Sequence, residues 1–147
     1  MIVTTAAGRV LGVDLGSRRI GLALSDPTRT VASPHEVIVR SGDPVADRGA
    51  IVAAARAADA TVIVVGLPLS LSGRAGPAAK AARAEADALQ ALAEPDIDVV
   101  VHDERLTTVT AERALAEGGV RRDARRRVVD KVAAAVMLQS WLESKGK

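Results

Sequence analysis

A chain of 147 residues with 48% hydrophobic content and a net charge of +2 suits one compact domain with a real core. It has no cysteine, which excludes disulfides, thiolate catalysis and cysteine-based zinc or iron–sulfur sites. With one Trp and no Phe or Tyr, stacking on nucleobases is nearly ruled out, so any nucleic-acid contact rests on charge, backbone amides and shape.

The first eight residues carry no basic stretch followed by a long apolar segment, so no signal peptide is expected. Residues 1–8 are expected to be a flexible extension or a short strand extension, and residues 9–147 a single domain. The apolar runs are too short to span a bilayer, and a cytoplasmic location without membrane partners is expected. Residues 9–14 form a buried strand; Gly16 and the pair Arg18-Arg19 make a tight connection. Residues 20–24 return as the second strand of a hairpin, and Asp26-Pro27 marks a turn, with Asp26 bracing it. Residues 30–40 suit a third strand at a sheet edge, where Pro34 is best tolerated.

Pro44 sits well in the first turn of a helix over 45–58. A β-branched run over 61–65 gives a strand ending at Gly66, and Gly66-Leu67-Pro68 opens a loop to Gly76-Pro77. The Ala-rich segment 77–93 has the strongest helix propensity in the chain and stops at Pro95. Residues 97–101 form the last strand. Thr107 and Thr108 are candidate caps for a helix to about Glu117, ended by Gly118-Gly119. A final helix runs from about Asp123 to Glu143, with Val129, Val132, Val136, Leu138, Ala133 and Ala134 on its apolar face. Three strands in succession, then crossovers, predict an α/β domain: a five-stranded mixed sheet flanked by helices, with the first, fourth and fifth strands parallel.

That topology would gather three distant acids. Asp14 closes the first strand and Glu104 follows the fifth, at the sheet edge where ligand sites of open α/β sheets collect. Asp130 lies near the start of the last helix among Val128, Val129, Val132 and Ala133, where a carboxylate needs a partner. Three like charges repel unless a hard cation joins them, and carboxylate oxygens suit Mg²⁺ or Mn²⁺. Two such ions about 4 Å apart can hold the attacking water and the leaving 3′ oxygen of a phosphodiester. The blander readings are an Asp14 that caps its own turn, a Glu104 paired with Arg105, and an Asp130 paired with Arg126, Arg127 or Lys131. His102 can orient a carboxylate or phosphate, though a lone histidine beside a strand end is more often structural. Gly12, Gly16 and Gly21 allow close backbone approach.

Residues 121–131, RRDARRRVVDK, hold six basic and two acidic side chains, a cluster that attracts phosphate. Arg121, Arg122, Arg125 and Arg126 are therefore candidate substrate contacts, with a solvated helix start as the other reading. Ser70, Ser72 and Arg74 can meet substrate phosphates from the loop after Gly66; a plain surface loop is equally compatible.

Several segments together resemble a known family. They are Gly12-Val13-Asp14-Leu15-Gly16-Ser17-Arg18-Arg19-Ile20-Gly21, Ser25-Asp26, and Gly66-Leu67-Pro68 with Gly73. Asp103-Glu104-Arg105-Leu106-Thr107-Thr108 follows with Ala111, then Asp130-Lys131-Val132-Ala133-Ala134 with Leu138-Gln139. In order and spacing over residues 9–143 they resemble the bacterial YqgF/RuvX family, the Holliday-junction-resolvase-like pre-16S rRNA nucleases. The resemblance implies an RNase H-like fold. It implies Asp14, Glu104 and Asp130 as catalytic, metal-binding acids for Mg²⁺ or Mn²⁺. It also implies Arg18 and Arg105 in phosphate contact or acid positioning, Gly66 and Pro68 as structural elements of the site, and trimming of the 5′ end of precursor 16S rRNA in the cytoplasm. Where the family pattern carries an aromatic residue in the helix after the Gly-Leu-Pro loop, this chain has Glu85, which would alter packing or expose that helix face.

The expected function is thus a metal-dependent phosphodiester hydrolase acting on structured RNA, with pre-ribosomal particles as possible partners. A resolvase of branched DNA is the alternative enzyme and would favour a two-fold dimer. No dimer surface is evident in the sequence, so a monomer or weak homodimer is expected. A non-catalytic RNA-binding ribosome-biogenesis factor is the alternative of another class. An actin-like nucleotide binder would need two such halves and a far longer chain.

Overall fold

The computed structural model of the chain describes residues 8–67, 77–103 and 122–145. Five strands form one mixed sheet: β1 (Arg9–Leu15), β2 (Arg19–Ser25), β3 (Ala32–Val39), β4 (Ala60–Leu67) and β5 (Asp98–Asp103). Their spatial order is β3-β2-β1-β4-β5. β1 pairs antiparallel with β2, and β2 with β3, while β4 runs parallel to β1 and β5 parallel to β4. The expected mixed sheet, its hairpin start and its parallel half are all present. The helix expected over 107–117 lies outside the described residues.

Among the described residues three helices cover the sheet: α1 (Pro44–Ala57), α2 (Pro77–Ala93) and α3 (Arg122–Lys145). α1 starts where Asp43 accepts a hydrogen bond from the Val45 amide at 3.0 Å, satisfying an amide that the helix leaves unpaired. Pro44 occupies the first turn, as its fixed φ allows. Asp47 is buried and accepts from the backbone amide and the hydroxyl of Ser41, which ties the β3–α1 connection down.

Strand alternation sorts the core onto two faces. On one, Leu11, Val13, Ile20, Leu22, Ile63 and Val65 pack against Ile51, Val52 and Ala55 of α1 and Ala86, Leu89 and Ala93 of α2. The buried Ala79, Ala82, Ala86, Leu89 and Ala93 recur every three or four residues, so α2 turns one continuous stripe inward. On the other face, Val10, Ala23 and Val64 pack against Ala134, Met137, Leu138 and Trp141 of α3.

The buried stripe of α3 differs in part from the expected one. Ala133, Ala134, Met137, Leu138, Trp141 and Leu142 are buried, while Val129, Val132 and Val136 are only half-buried. The reason is steric. α3 lies over glycines of β1 and β2, so small Ala134 and the stem of Leu138 fit against the sheet: a Cβ on Gly12 would meet Leu138 Cβ at 2.9 Å and the Ala134 carbonyl oxygen at 3.4 Å. Glu85 is not exposed as one reading of the sequence allowed. It takes two hydrogen bonds from Arg48, 2.8 Å from Nε and 3.1 Å from Nη2, joining α2 to α1.

β3 is the edge strand expected from Pro34, and its register with β2 shifts between Leu22 and Ala23, where Ala23 faces Pro34. Asp26 braces the β2–β3 turn: its carboxylate accepts from the amides of Thr28, Thr30 and Val31 and from the Thr28 hydroxyl. Among the described residues no helix is long and apolar enough to cross a membrane.

Candidate active site

Gly21 is the pivot of the site. The β1–β2 pairing sets Asp14 opposite Gly21 and Gly12 opposite Ala23. Residues directly opposed in an antiparallel pair share one face, with Cα atoms about 4.5–5.5 Å apart. Here that face is the one α3 covers, since Gly12 and Ala23 both meet α3. Asp14 therefore stands half-buried on the α3 side, at the C-terminal end of β1. A Cβ on Gly21 would fall 2.0 Å from the Asp130 carbonyl oxygen and 3.3 Å from its Cα. Asp14 and Asp130, 116 residues apart in the numbering, thus flank the same glycine.

Arg19 completes this corner. It shares a strand face with Gly21 and Ala23, and its Nε donates to Asp130 Oδ2 at 2.5 Å. Both side chains are about a quarter exposed. Among the described residues, Asp130 Oδ1 takes no further hydrogen bond. Sequence reasoning named Arg126, Arg127 and Lys131 as rival partners for Asp130 and did not single out Arg19. Strand parity was the available signal: Arg19, Gly21 and Ala23 alternate with the core residues Ile20 and Leu22.

The β1–β2 turn is fixed by main-chain and arginine contacts. The Gly16 amide donates to the Arg19 carbonyl at 2.9 Å, and a Cβ on Gly16 would lie 2.4 Å from that oxygen. Arg40, also missed in the sequence, donates from Nε to the Gly16 carbonyl at 2.7 Å and from its amide to the Arg18 carbonyl at 2.9 Å. Arg18 is exposed on this braced turn.

On β5, Val100 packs in the α3-side cluster, and His102, two residues on, lies 3.1 Å from Ser140 Oγ of α3. That contact gives His102 a helix-docking partner. Gly66 is buried and pairs with His102. Glu104, Arg105, Pro68, Arg74 and Arg121 lie outside the described residues, as do the side chains of Arg122, Arg125 and Arg126. Gln139, at the end of the last matched segment, accepts from the Ala32 amide at 2.8 Å and donates to the Thr30 carbonyl at 3.0 Å, which docks α3 on the start of β3.

Among the described residues no group of three His, Asp or Glu is placed to hold a metal ion. Asp14 and Asp130 supply two hard oxygen donors on one face, the donor type that Mg²⁺ or Mn²⁺ takes. The chemistry of this pair fits a divalent ion, with the further donors to come from elsewhere.

The profile of the family described as "RuvX: Holliday junction resolvase" matches residues 8–144. A relative in Nocardia farcinica (strain IFM 10152), described as "Putative pre-16S rRNA nuclease", is 43% identical over 143 residues, covering 94% of this chain and 79% of the relative. A Kineococcus radiotolerans protein of the same description is 47% identical over 134 residues, covering 91% and 71%. Another from Pelotomaculum thermopropionicum is 42% identical, covering 95% and 89%. Among solved structures, Thermus thermophilus RuvC in complex with a Holliday junction substrate aligns with a TM-score of 0.58 at 14% identity, covering 95% and 96%. The fowlpox virus resolvase with Holliday junction DNA aligns with a TM-score of 0.55 at 12% identity, covering 95% and 99%. These two likenesses concern the fold.

Proposed function

The chain belongs to the RuvX family, and we propose that it is a divalent-metal-dependent nuclease that processes the 5′ end of precursor 16S rRNA in the cytoplasm. The relatives' shared description supports the RNA substrate. One observation supports the chemistry: Asp14 lies opposite Gly21 in the β1–β2 pairing, and the Asp130 main chain packs on the same glycine. A carboxylate pair at the C-terminal edge of a parallel strand is the start of a cation site.

Asp14, Glu104 and Asp130 would hold the ions, Mg²⁺ or Mn²⁺. Bound there, two ions supply activation of the attacking water and stabilisation of the leaving 3′ oxygen. The chain's own part is to fix the carboxylates before substrate arrives. β1 sets Asp14, the α3 backbone against Gly21 sets Asp130, and Arg19 sets a cation against the Asp130 carboxylate. Arg18 on the β1–β2 turn, with Arg74 and Arg105, would meet substrate phosphates. Arg121, Arg122, Arg125 and Arg126 would carry the flanking strand electrostatically. The domain is taken as residues 9–147, monomeric or weakly dimeric, with pre-ribosomal particles as the natural presenter of substrate.

Branched DNA is the second reading, favoured by the description of the matching family. The two are separated by incubating end-labelled precursor 16S rRNA and a four-way DNA junction in parallel with Mn²⁺ or EDTA, using wild type and Asp14→Asn. Metal-dependent RNA cutting, lost in Asp14→Asn, is the expected result. Paired symmetric cuts in the junction alone would move the assignment to a resolvase. RNA binding that persists without cleavage under every condition would mark a binding factor.

A further inference from the structure

The Arg19–Asp130 bond has a consequence for cation binding. An aspartate has two oxygens, and here one of them, Oδ2, is taken by Arg19 Nε at 2.5 Å. Among the described residues Oδ1 is left without a hydrogen bond. The carboxylate is thus held in one orientation by a side chain that comes from the strand carrying Gly21, the point where the α3 backbone docks. The arginine is itself anchored: the turn before it is closed by Gly16 and braced by Arg40.

We propose that Arg19 is a positioning residue for the divalent-cation site: it fixes the Asp130 carboxylate through Oδ2 and presents Oδ1 as the ion ligand. This rests on the reading of Asp130 as a metal ligand. Two physical considerations favour positioning over competition for the ion. Outer-shell hydrogen bonds that orient ligand carboxylates strengthen metal binding, and losing one costs about 10–100-fold in affinity. A guanidinium also donates along fixed directions, so it orients a carboxylate where a lysine ammonium would only attract it.

The test is Mn²⁺ binding to the full chain without nucleic acid, by calorimetry and by the electron paramagnetic resonance of free Mn²⁺. Wild type, Arg19→Ala, Arg19→Lys and Asp130→Asn are compared, with thermal unfolding in EDTA as the fold control. The expected outcome is a loss of about 10-fold or more for Arg19→Ala, partial recovery in Arg19→Lys, and near-complete loss in Asp130→Asn. Equal or tighter Mn²⁺ binding by Arg19→Ala, with Asp130→Asn impaired, overturns the positioning role; tighter binding would mean that the guanidinium competes with the ion. Wild-type affinity in Asp130→Asn, or no Mn²⁺ binding by wild type, removes the underlying assignment of Asp130. Should Arg19→Ala fail to fold, Arg19→Lys carries the test: it retains the charge and loses the planar donor, and undiminished affinity there also overturns the proposal.

Discussion

The main-chain carbonyl of Asp130 approaches Gly21 so closely that a β-carbon there would lie 2.0 Å from its oxygen. The position of an acid on α3 is therefore set by contact with a strand backbone. Gly21→Ala must push the start of α3 away, because neither partner is a flexible side-chain end. The expected cost is about 1–3 kcal/mol, the range of overpacking in a well-filled interior. Urea unfolding measures it, and Mn²⁺ affinity should fall in the same variant. An unshifted urea midpoint with normal Mn²⁺ binding would mean that α3 docks less rigidly than this contact requires.

Asp26 gives the fold an acid-sensitive turn. Hydrogen bonds from the Thr28 hydroxyl, then from the amides of Val31 and Thr30, hold its carboxyl well below the usual carboxylate range. A group with a depressed folded pKa contributes stability that is whole above the unfolded value, about 3.9 for aspartate, and is lost as pH falls toward the folded one. Thermal midpoints of wild type and Asp26→Asn should therefore differ at neutral pH and converge progressively below about pH 4. A gap that stays constant from pH 7 down to pH 2.5 would remove the turn carboxylate as its source.

Arg48 and Glu85 should be coupled. Their two hydrogen bonds join α1 to α2, and the side chains are 26% and 19% exposed. A double-mutant cycle with Arg48→Ala and Glu85→Ala should return a coupling of about 0.5–1 kcal/mol after allowance for solvent screening. The value should shrink at 1 M salt. Strict additivity of the two single variants would leave Glu85 with no compensating partner for the aromatic residue the family pattern has there.

Gln139→Ala should free the start of β3 from α3. It removes one bond accepted from the Ala32 amide and one donated to the Thr30 carbonyl, together about 1–2 kcal/mol by ordinary hydrogen-bond values. Hydrogen exchange at the Ala32 amide should accelerate, while Mn²⁺ affinity stays near that of wild type. Unchanged protection at Ala32 would count against the clasp.

The sheet was legible because it follows from patterns that local sequence carries. β-branched runs fixed β4 and β5, Pro34 pointed to an edge, and two crossovers implied parallel strands. The bracing role of Asp26 was visible because its partners lie within five residues. The polar contacts that tune the site were not. Arg19 reaches Asp130 across 111 residues, and Arg48 reaches Glu85 across 37. Nothing in composition distinguishes those arginines from the others in an arginine-rich chain. The apolar face of α3 reads in sequence as Val129, Val132, Val136, Leu138, Ala133 and Ala134 together; Leu138 and the two alanines are buried, and the valines only half-buried. What decided it was the close approach of α3 to Gly12, where the Leu138 stem and the Ala134 carbonyl meet the sheet.

The two sides of the sheet face different evolutionary freedoms. Against α1 and α2, side chains such as Leu11, Ile51 and Leu89 meet side chains, and paired exchanges of volume can be absorbed by repacking. Under α3, Gly12 meets the Leu138 stem and the Ala134 carbonyl, Gly21 meets the Asp130 main chain, and at these two positions no flexible side-chain end can yield the space that a new β-carbon would take. Drift in this chain should therefore accumulate on the α1 and α2 side, while Gly12 and Gly21 under α3 stay fixed even where they touch neither ion nor substrate.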